Sequence, residues 1–402
     1  MKKTFAKIFC LVLAVAMMVP CFVSCGGDNL NVPKFSEDTI NIGCSGPLTG
    51  GAAVYGKAVY NAARLAVSEI NEAGGLDGIM FAFEMYDDQH NPTLVNTGYA
   101  DLLGKGMQIS LGTVTTKPGL EFKELAKDDN LFVLTPSASG DAIPEYDNAF
   151  QMCFADSNQG SASAEFFNAN YQGKKIGVFY KSDDEYSTGI LAKFKEAISA
   201  DFGEVKEASF KGEESDFATQ VQALKDCDVI FMPIYYTPAS QFMVAGKGIV
   251  KADATYYGCD GLDGIDAIDG FDINSISQEI SYLTHFASNA TTGAAGELIT
   301  KYNNTFDETK EPLNQFGASA YDCIYAIYGA LKAAKDAGKT FDASTSASDF
   351  CNILKAQFAG DFEFNGVTGK AEANGKSVIS WTNDGFVNKE AEKQVVKEKT
   401  AN

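Results

Sequence analysis

Hydrophobic positions along the chain fall into two kinds of segment that alternate: short apolar runs, and longer stretches with apolar residues every three or four positions. The short runs predict β-strands at residues 39–43, 80–86, 109–112 and 131–134. Helical spacing fills the intervals, including a stretch that ends at Gly74 and Gly75, one that opens at Asn91-Pro92, and one that follows from Pro118. Strands separated by helices of this length predict right-handed β-α-β units and a parallel sheet.

The same alternation repeats further along the chain. Strands are predicted at residues 175–180, 204–210, 228–233 and 254–258, with helices at 187–200, 216–225 and 239–250. After Tyr282 the pattern becomes mostly helical, at residues 294–306, 317–337 and 347–359. Residues 362–381 read as short strands joined by turns at Asn365-Gly366 and Asn374-Gly375, followed by a charged, frayed tail from Lys389. A chain of 402 residues exceeds one ordinary core, so we expect two α/β lobes.

One stretch, residues 109–139, combines two strands with two unusually polar loops. The first strand ends in Thr113-Val114-Thr115-Thr116, and the second ends in the segment TPSAS at residues 135–139. Ligands of open α/β sheets bind outside the carboxyl ends of the strands. The two loops, rich in hydroxyls and backbone amides, therefore predict a site for a small polar ligand.

The first residues form a targeting segment. Lys2, Lys3 and Lys7 precede an apolar core at residues 8–19 that is too short to span a bilayer as a mature helix. The segment FVSCGG at residues 22–27 resembles the bacterial lipobox, with Cys25 as the lipidated residue. Residues 1–24 are then the signal peptide and residues 25–37 a polar tether; plain secretory cleavage near Ser24 is the alternative.

Charge and cysteine content restrict the classes of partner. The net charge is −21, and removing residues 1–24 takes away three lysines, which leaves 29 − 53 = −24. Such an acidic protein is a poor partner for nucleic acid or for anionic lipid. Arg64 is the single arginine, so one guanidinium at most can clamp an anion. The pattern leaves open whether six scattered cysteines are free thiols or disulfides: Cys44, Cys153, Cys227, Cys259, Cys323 and Cys351.

Patterns for enzymatic or metal chemistry are incomplete. Residues 51–58, GAAVYGKA, approach a phosphate-binding loop but carry Ala58 where a Ser or Thr would bind magnesium. Five aspartates recur every third residue from Asp260 to Asp272, which is not the spacing of a calcium loop. We interpret them as a solvated acidic stretch with one functional member. With His90 and His285 as the only histidines, we expect no metal site, no cofactor and no catalytic activity.

A set of motifs in order resembles the type I periplasmic-binding-protein family, in its leucine/isoleucine/valine-binding branch. The motifs are IGCSGPLTG at residues 42–50, YG at 55–56, INEAGGL at 70–76, DD at 87–88, GTVTT at 112–116, TPSAS at 135–139, DSNQG at 156–160 and YSTG at 186–189. The resemblance implies two lobes joined by three crossovers, near residues 156–159, 284–288 and 366–369, with the ligand in the cleft. It implies one lobe from residues 38–157 plus 286–366, a second from 158–285 plus 367–390, and a tail at 391–402.

The resemblance also implies roles for individual residues. The ligand carboxylate falls to Thr115 and Thr116, and the ammonium to the segment Ser137-Ala138-Ser139 with Asp260 as counter-ion. Walls of the cleft are expected from Tyr55, Tyr186 and Tyr235. The alternatives are that the threonines only cap a helix, that Ser139 is a turn residue, and that one of the tyrosines, Tyr235 above all, lies on a lobe surface.

The implied function is a monomeric, lipid-anchored receptor that binds a small amino acid, branched-chain or similar, by hinge closure. Its implied partner is the permease of an ABC importer. The alternative is a sensor for amides or other small polar solutes that has no transport role.

Overall fold

The computed structural model describes residues 29–202, 205–369 and 377–399. The predicted signal peptide and the lipidation site at Cys25 lie outside the described residues. Within those three ranges no helix combines the length and apolar character needed to cross a bilayer.

The first lobe is built on a five-stranded parallel sheet. Its strands are β1 (Thr39–Gly46), β2 (Met80–Asp87), β3 (Ile109–Thr113), β4 (Val133–Thr135) and β5 (Ala149–Gln151), in the order β2-β1-β3-β4-β5. Helices α1 (Ala53–Glu72), α2 (Pro92–Gly104) and α3 (Thr116–Asp128) connect the strands. The strands and helices predicted here are present, but the short strand β5 was not predicted. Its three residues offer too few positions for a periodic pattern.

The second lobe contains a six-stranded sheet. The strands are β6 (Ile176–Lys181), β7 (Lys206–Phe210), β8 (Val229–Met232), β9 (Thr255–Gly258), β10 (Glu279–Thr284) and β13 (Glu392–Lys397), in the order β7-β6-β8-β9-β10-β13. All neighbours are parallel except β13, which is antiparallel to β10. The helices are α4 (Asp156–Asn170), α5 (Glu185–Ala197), α6 (Ala218–Leu224) and α7 (Tyr236–Ala245).

Three helices late in the chain, α8 (Gly293–Thr305), α9 (Gln315–Asp336) and α10 (Ala347–Phe358), follow the second lobe in sequence. The side chain of Asn314 caps α9 by accepting from the backbone amides of Phe316 and Gly317. The hydroxyls of Tyr321 and Tyr325 both donate to Glu69 of α1, which fastens α9 to the first lobe. The first lobe is therefore discontinuous in sequence.

The chain passes between the two lobes three times, and the third passage lies later in the sequence than expected. The chain leaves the first lobe at the start of α4 and returns after β10. Trp381 still belongs to the first lobe, because its indole donates to the Gln151 carbonyl at 2.8 Å and packs on Phe358 and Phe362. The third crossing lies between Asn388 and Glu392, so the assignment of residues 377–388 to the second lobe is wrong. The prediction of a turn at Asn365-Gly366 is also wrong. Both residues lie in the short strand β11 (Phe364–Gly366), which pairs with β12 (Ser377–Ile379).

The frayed tail is a wrong prediction for residues 392–397. They form β13, the edge strand beside β10, and Lys393 reaches Glu279 at 2.8 Å across the pair. Charged residues are typical of sheet edges, where they oppose pairing with another chain. The charge that suggested a solvated tail therefore also fits an edge strand.

We expect truncation after Glu390 to destabilise the protein, because it removes β13 and leaves β10 unpaired on that side. Losing this pairing should cost about 1–3 kcal/mol and lower the melting temperature by about 3 °C or more. Truncation after Lys399 is the matched control and should change little. Equal melting temperatures for the two truncated proteins, measured by circular dichroism, would show that β13 contributes nothing.

The described part of the predicted tether, residues 29–37, contacts the first lobe. Leu30 and Val32 pack against its core, and the Asn31 backbone amide donates to the Ser68 hydroxyl at 2.8 Å. Asn71 donates to the Asn31 carbonyl, also at 2.8 Å. Any free tether is therefore shorter than the predicted segment.

Candidate ligand-binding site

A small cavity lies between the two lobes, at the carboxyl ends of β3 and β4. Its volume is about 10 Å³, room for roughly one water molecule, so a larger ligand requires the lobes or side chains to move. Eight of the nine predicted site residues line it, together with two that the pattern did not single out, Val114 and Phe316. The full lining is Tyr55, Val114, Thr115, Thr116, Ser137, Ser139, Tyr186, Tyr235, Asp260 and Phe316. Their ligand roles remain predictions.

Ala138, the ninth predicted residue, does not line the cavity. Its side chain is buried, and its carbonyl accepts a hydrogen bond from Gln151 at 3.0 Å. Phe316 could not be predicted because it lies at the start of α9, some 200 residues beyond the loops it faces.

A much larger cavity, about 910 Å³, lies beside the second crossover, where Thr284, His285 and Lys393 contribute to its wall. It also borders Gly369 and Ser377, the residues that flank the undescribed segment 370–376. The small interlobe cavity is the better candidate, because the converging hydroxyls, tyrosines and buried acid are there.

The loop after β3 leads directly into α3. Gly112 adopts φ = +60°, and a Cβ there would approach Val133 Cγ1 to 2.8 Å, so the turn favours glycine. The helix begins at Thr116 and not at Pro118, because proline is tolerated in the first turn, where amides lack intrahelical partners. The α3 amides at this end lie beside the cavity, an arrangement that suits an anion.

The two threonine hydroxyls do not cap α3. Thr115 is the N-cap residue but makes no side-chain capping bond; its hydroxyl instead lies 2.9 Å from His90 Nδ1. The Thr116 hydroxyl accepts from the Gly140 amide at 3.3 Å. The helix-capping alternative is therefore wrong for both residues.

Asp260 enters the cavity from the second lobe. One carboxylate oxygen, Oδ1, accepts from the Tyr186 hydroxyl at 2.7 Å, and the Asp260 amide donates to Gln159 at 3.0 Å. The other oxygen, Oδ2, is buried without a hydrogen-bond partner in the described part of the chain. Burial raises the pKa of Asp260 to about 7.

A second acid, Asp156, lies behind Ser139. The sequence placed Asp156 in the first crossover but not in the site. Ser139 hydrogen-bonds its carboxyl group, while Asp156 Oδ1 has no partner among the described residues. Burial, and secondly the neighbouring Asp260, raise the pKa of Asp156. The DSNQG motif was the signal that could have indicated this acid.

Stacked tyrosines form the wall toward the second lobe. The rings of Tyr186 and Tyr235 are 4.7 Å apart and nearly parallel, at 9°. Tyr235 is partly buried and packs against the core, so the lobe-surface alternative is wrong. Tyr55 reaches across the cleft and donates to the Gly261 carbonyl at 2.5 Å, while the Gly261 amide donates to Tyr186 at 2.9 Å.

The acidic stretch is only partly solvated, contrary to expectation. Asp260 and Asp263 are 1% and 7% exposed. Asp263 accepts from the Gln315 backbone amide at 2.9 Å and from the Tyr282 hydroxyl at 2.8 Å. It therefore lies at the N-terminus of α9, to which it reaches from the opposite lobe, and a negative charge is favourable there.

The sequence left open whether the six cysteines form disulfides. Among the described residues all six are free thiols, and all are buried.

The sequence model of the family described as periplasmic binding protein matches residues 39–375. The chain belongs to this family. A Leu/Ile/Val-binding protein of Rhizobium johnstonii is 25% identical over 359 residues, which cover 85% of this chain and 91% of the relative. The isoleucine-bound branched-chain amino acid binding protein of Streptococcus pneumoniae aligns with a TM-score of 0.70 at 24% identity, over 89% of this chain and 99% of that one. A benzoate-bound solute-binding protein of R. palustris aligns with a TM-score of 0.74 at 18% identity, over 90% and 94%.

Family membership confirms the predicted resemblance and the two-lobed fold. Periplasmic binding proteins act outside the cytoplasm, and the homologues are substrate-binding proteins and not enzymes. Solved relatives hold amino acids in some cases and aromatic carboxylates in others. The choice between these ligands depends on the residues of this chain.

We expect Tyr55→Phe to weaken ligand binding by about threefold to tenfold, because it removes the interlobe hydrogen bond to Gly261. The ring packs against Phe316 and Tyr236 in both proteins, so the shape of the cavity wall is kept. The melting temperature without ligand should fall by a few degrees, because the Gly261 carbonyl and the Tyr236 amide lose a buried partner. Calorimetric titration with L-leucine measures the loss. Tyr60→Phe, outside the cavity on the same helix, is the control and should bind like wild type.

Proposed function

We propose that this protein is the receptor of an ABC importer and binds a small aliphatic amino acid by closing its lobes. The observation that carries the proposal is the Asp260 carboxylate, buried at the cavity with Oδ2 unpartnered in the described chain. Lysine and arginine do not occur among the lining residues. A buried carboxylate is costly without a compensating charge, and a cationic group on the ligand would supply that charge.

The opposite side of the cavity suits the other half of a zwitterion. The α3 amides and the Thr115–Thr116 loop supply donors to a carboxylate without any arginine. A ligand that satisfies both sides carries an ammonium and a carboxylate close together, as an α-amino acid does. Ser137 and Ser139 line the same cavity.

The remaining wall favours an aliphatic side chain. The hydroxyls of Tyr55 and Tyr186 already bond to Gly261 and Asp260, so these residues present mainly ring surface. Val114 and Phe316 add further apolar surface. This leaves little to bind a polar side chain, and it agrees with relatives named for leucine, isoleucine and valine.

Aromatic carboxylates such as benzoate are the second candidate, because neighbours of similar fold bind them. The rings around the cavity would suit such a ligand, but an ionised Asp260 would then face a second anion, so Asp260 would have to bind a proton first. A sensory role without transport is a further alternative at the same site. Adjacent permease and ATPase genes would favour transport.

A thermal-shift screen against the twenty amino acids and benzoate tests the proposal. We expect the largest upward shift from leucine, isoleucine or valine, and none from benzoate. A shift with benzoate and none with any amino acid would overturn the zwitterion assignment.

We further propose that Cys25 carries the lipid anchor and that the protein acts as a monomer beside its permease. Metabolic labelling with a fatty-acid analogue should label the wild-type protein and not Cys25→Ser. Labelling of both proteins, or of neither, would argue against this anchor.

A further inference from the structure

His90, which neither the motifs nor the cavity lining singled out, joins the two sides of the candidate site. Its Nδ1 lies 2.9 Å from the Thr115 hydroxyl, on the loop expected to hold the ligand carboxylate. Its ring packs edge-on against Tyr235 of the second lobe, with centroids 5.2 Å apart and planes at 81°. One imidazole thus contacts the carboxylate loop of one lobe and the aromatic wall of the other.

The backbone that presents His90 is unusual. Gln89 and His90 both adopt left-handed conformations, with φ of +55° and +59°, which residues other than glycine rarely do. Two acids hold this turn: Asp88 accepts from the His90 amide at 2.9 Å, and Asp87 accepts from the Gln89 amide at 3.1 Å. Strained backbone that is held by its surroundings is typical of functional positions.

Which of the two groups donates the hydrogen bond between His90 and Thr115 determines whether the Thr115 hydroxyl can donate to a ligand. A hydroxyl has one proton, so if Nδ1 accepted it, Thr115 would have none to donate into the cavity. If Nδ1–H is the donor, the Thr115 proton remains available to a ligand. The imidazole stays neutral, because burial and nearby Lys181 and Lys117 lower the pKa of His90 to about 4, against the opposing effect of Glu213.

We propose that His90 is a positioning residue: its Nδ1–H donates to Thr115 and thereby directs the Thr115 hydroxyl proton toward the ligand carboxylate. This inference rests on the proposed function, in which the Thr115–Thr116 loop receives a carboxylate. It adds a residue outside the cavity lining to the binding machinery.

Three substitutions separate donor, acceptor and packing roles, with L-leucine as the probe in calorimetric titrations. His90→Phe keeps the ring beside Tyr235 but removes the donor, and should weaken binding about tenfold or more. His90→Asn restores a donor near the Nδ1 position and tolerates the left-handed backbone, and should bind within about threefold of wild type. His90→Asp offers only an acceptor and should bind no better than His90→Phe.

Two further measurements test the route through Thr115. Thr115→Val and His90→Phe should be non-additive, because each removes the same hydrogen bond. Long-range proton–nitrogen NMR of the wild-type protein with L-leucine should show Nδ1 protonated, a readout that does not depend on any variant folding. An unprotonated Nδ1, additive variants, or wild-type affinity in His90→Phe would each overturn the inference. If wild type binds no amino acid at all, the proposed function fails first.

Discussion

Replacing Asp260 with asparagine should abolish the thermal shift caused by L-leucine and weaken binding by about a hundredfold or more. Truncating one partner of a buried, hydrogen-bonded charge pair typically costs 2–5 kcal/mol, and Asp260 is the acid expected to face the ligand ammonium. The asparagine amide has the same shape but no charge, and its oxygen can still accept from Tyr186. The loss should therefore come from the missing counter-ion and not from repacking.

The melting temperature without ligand distinguishes this result from a folding defect. Burial disfavours the charged form of Asp260, so Asp260→Asn should leave the ligand-free protein as stable as wild type or more so. Asp266→Asn is the matched control: it removes one negative charge from the same segment, at an exposed position. It should bind L-leucine like wild type. An undiminished shift in Asp260→Asn would contradict the counter-ion role.

The sequence predicts the repeating β-α units well because their strands are buried on both faces and their helices follow one period. It fails where an element is short or its partners are distant. Strand β10 lies in a stretch where the periodic pattern was not evident, and β13 looks like a solvated tail until its pairing with β10 is known. Trp381 indicates a buried position, but only the fold shows that its partners belong to the first lobe.

In the candidate site, too, residues that directly follow a strand could be predicted and residues with distant partners could not. Hydroxyls after β3 and β4 could be predicted because parallel strands end at the same edge of a sheet. The role of Asp260 was predicted only from the family resemblance, since one aspartate in a row of five gives no local signal of its own. His90, Asp156 and Phe316 were missed as site residues, because their positions depend on a strained turn, a crossover and a helix start that only three-dimensional packing brings to the cleft.

The affinity for L-leucine should fall as the pH falls from 8 to 5. Binding requires an ionised Asp260, and burial raises the pKa of this acid to about 7. Above pH 7 the carboxylate is already charged and the affinity is constant; below pH 7 binding must displace a proton. The affinity should therefore decrease about tenfold between pH 8 and pH 6, and toward a hundredfold at pH 5. The histidines are not the cause, because burial lowers the pKa of both His90 and His285.

Proton release gives an independent measurement of the same linkage. Calorimetric titrations in buffers with different ionisation enthalpies should show nearly one proton released per L-leucine bound at pH 6, and almost none at pH 8. Asp88 and Asp263 also have pKa values raised to about 6, but each is already paired within the protein and neither lines the cavity. Their protonation should therefore not change on binding. Constant affinity between pH 8 and pH 5, without proton release, would contradict this linkage. It would mean that the acid facing the ligand is already ionised before the ligand binds, and that its burial between the lobes does not affect the affinity.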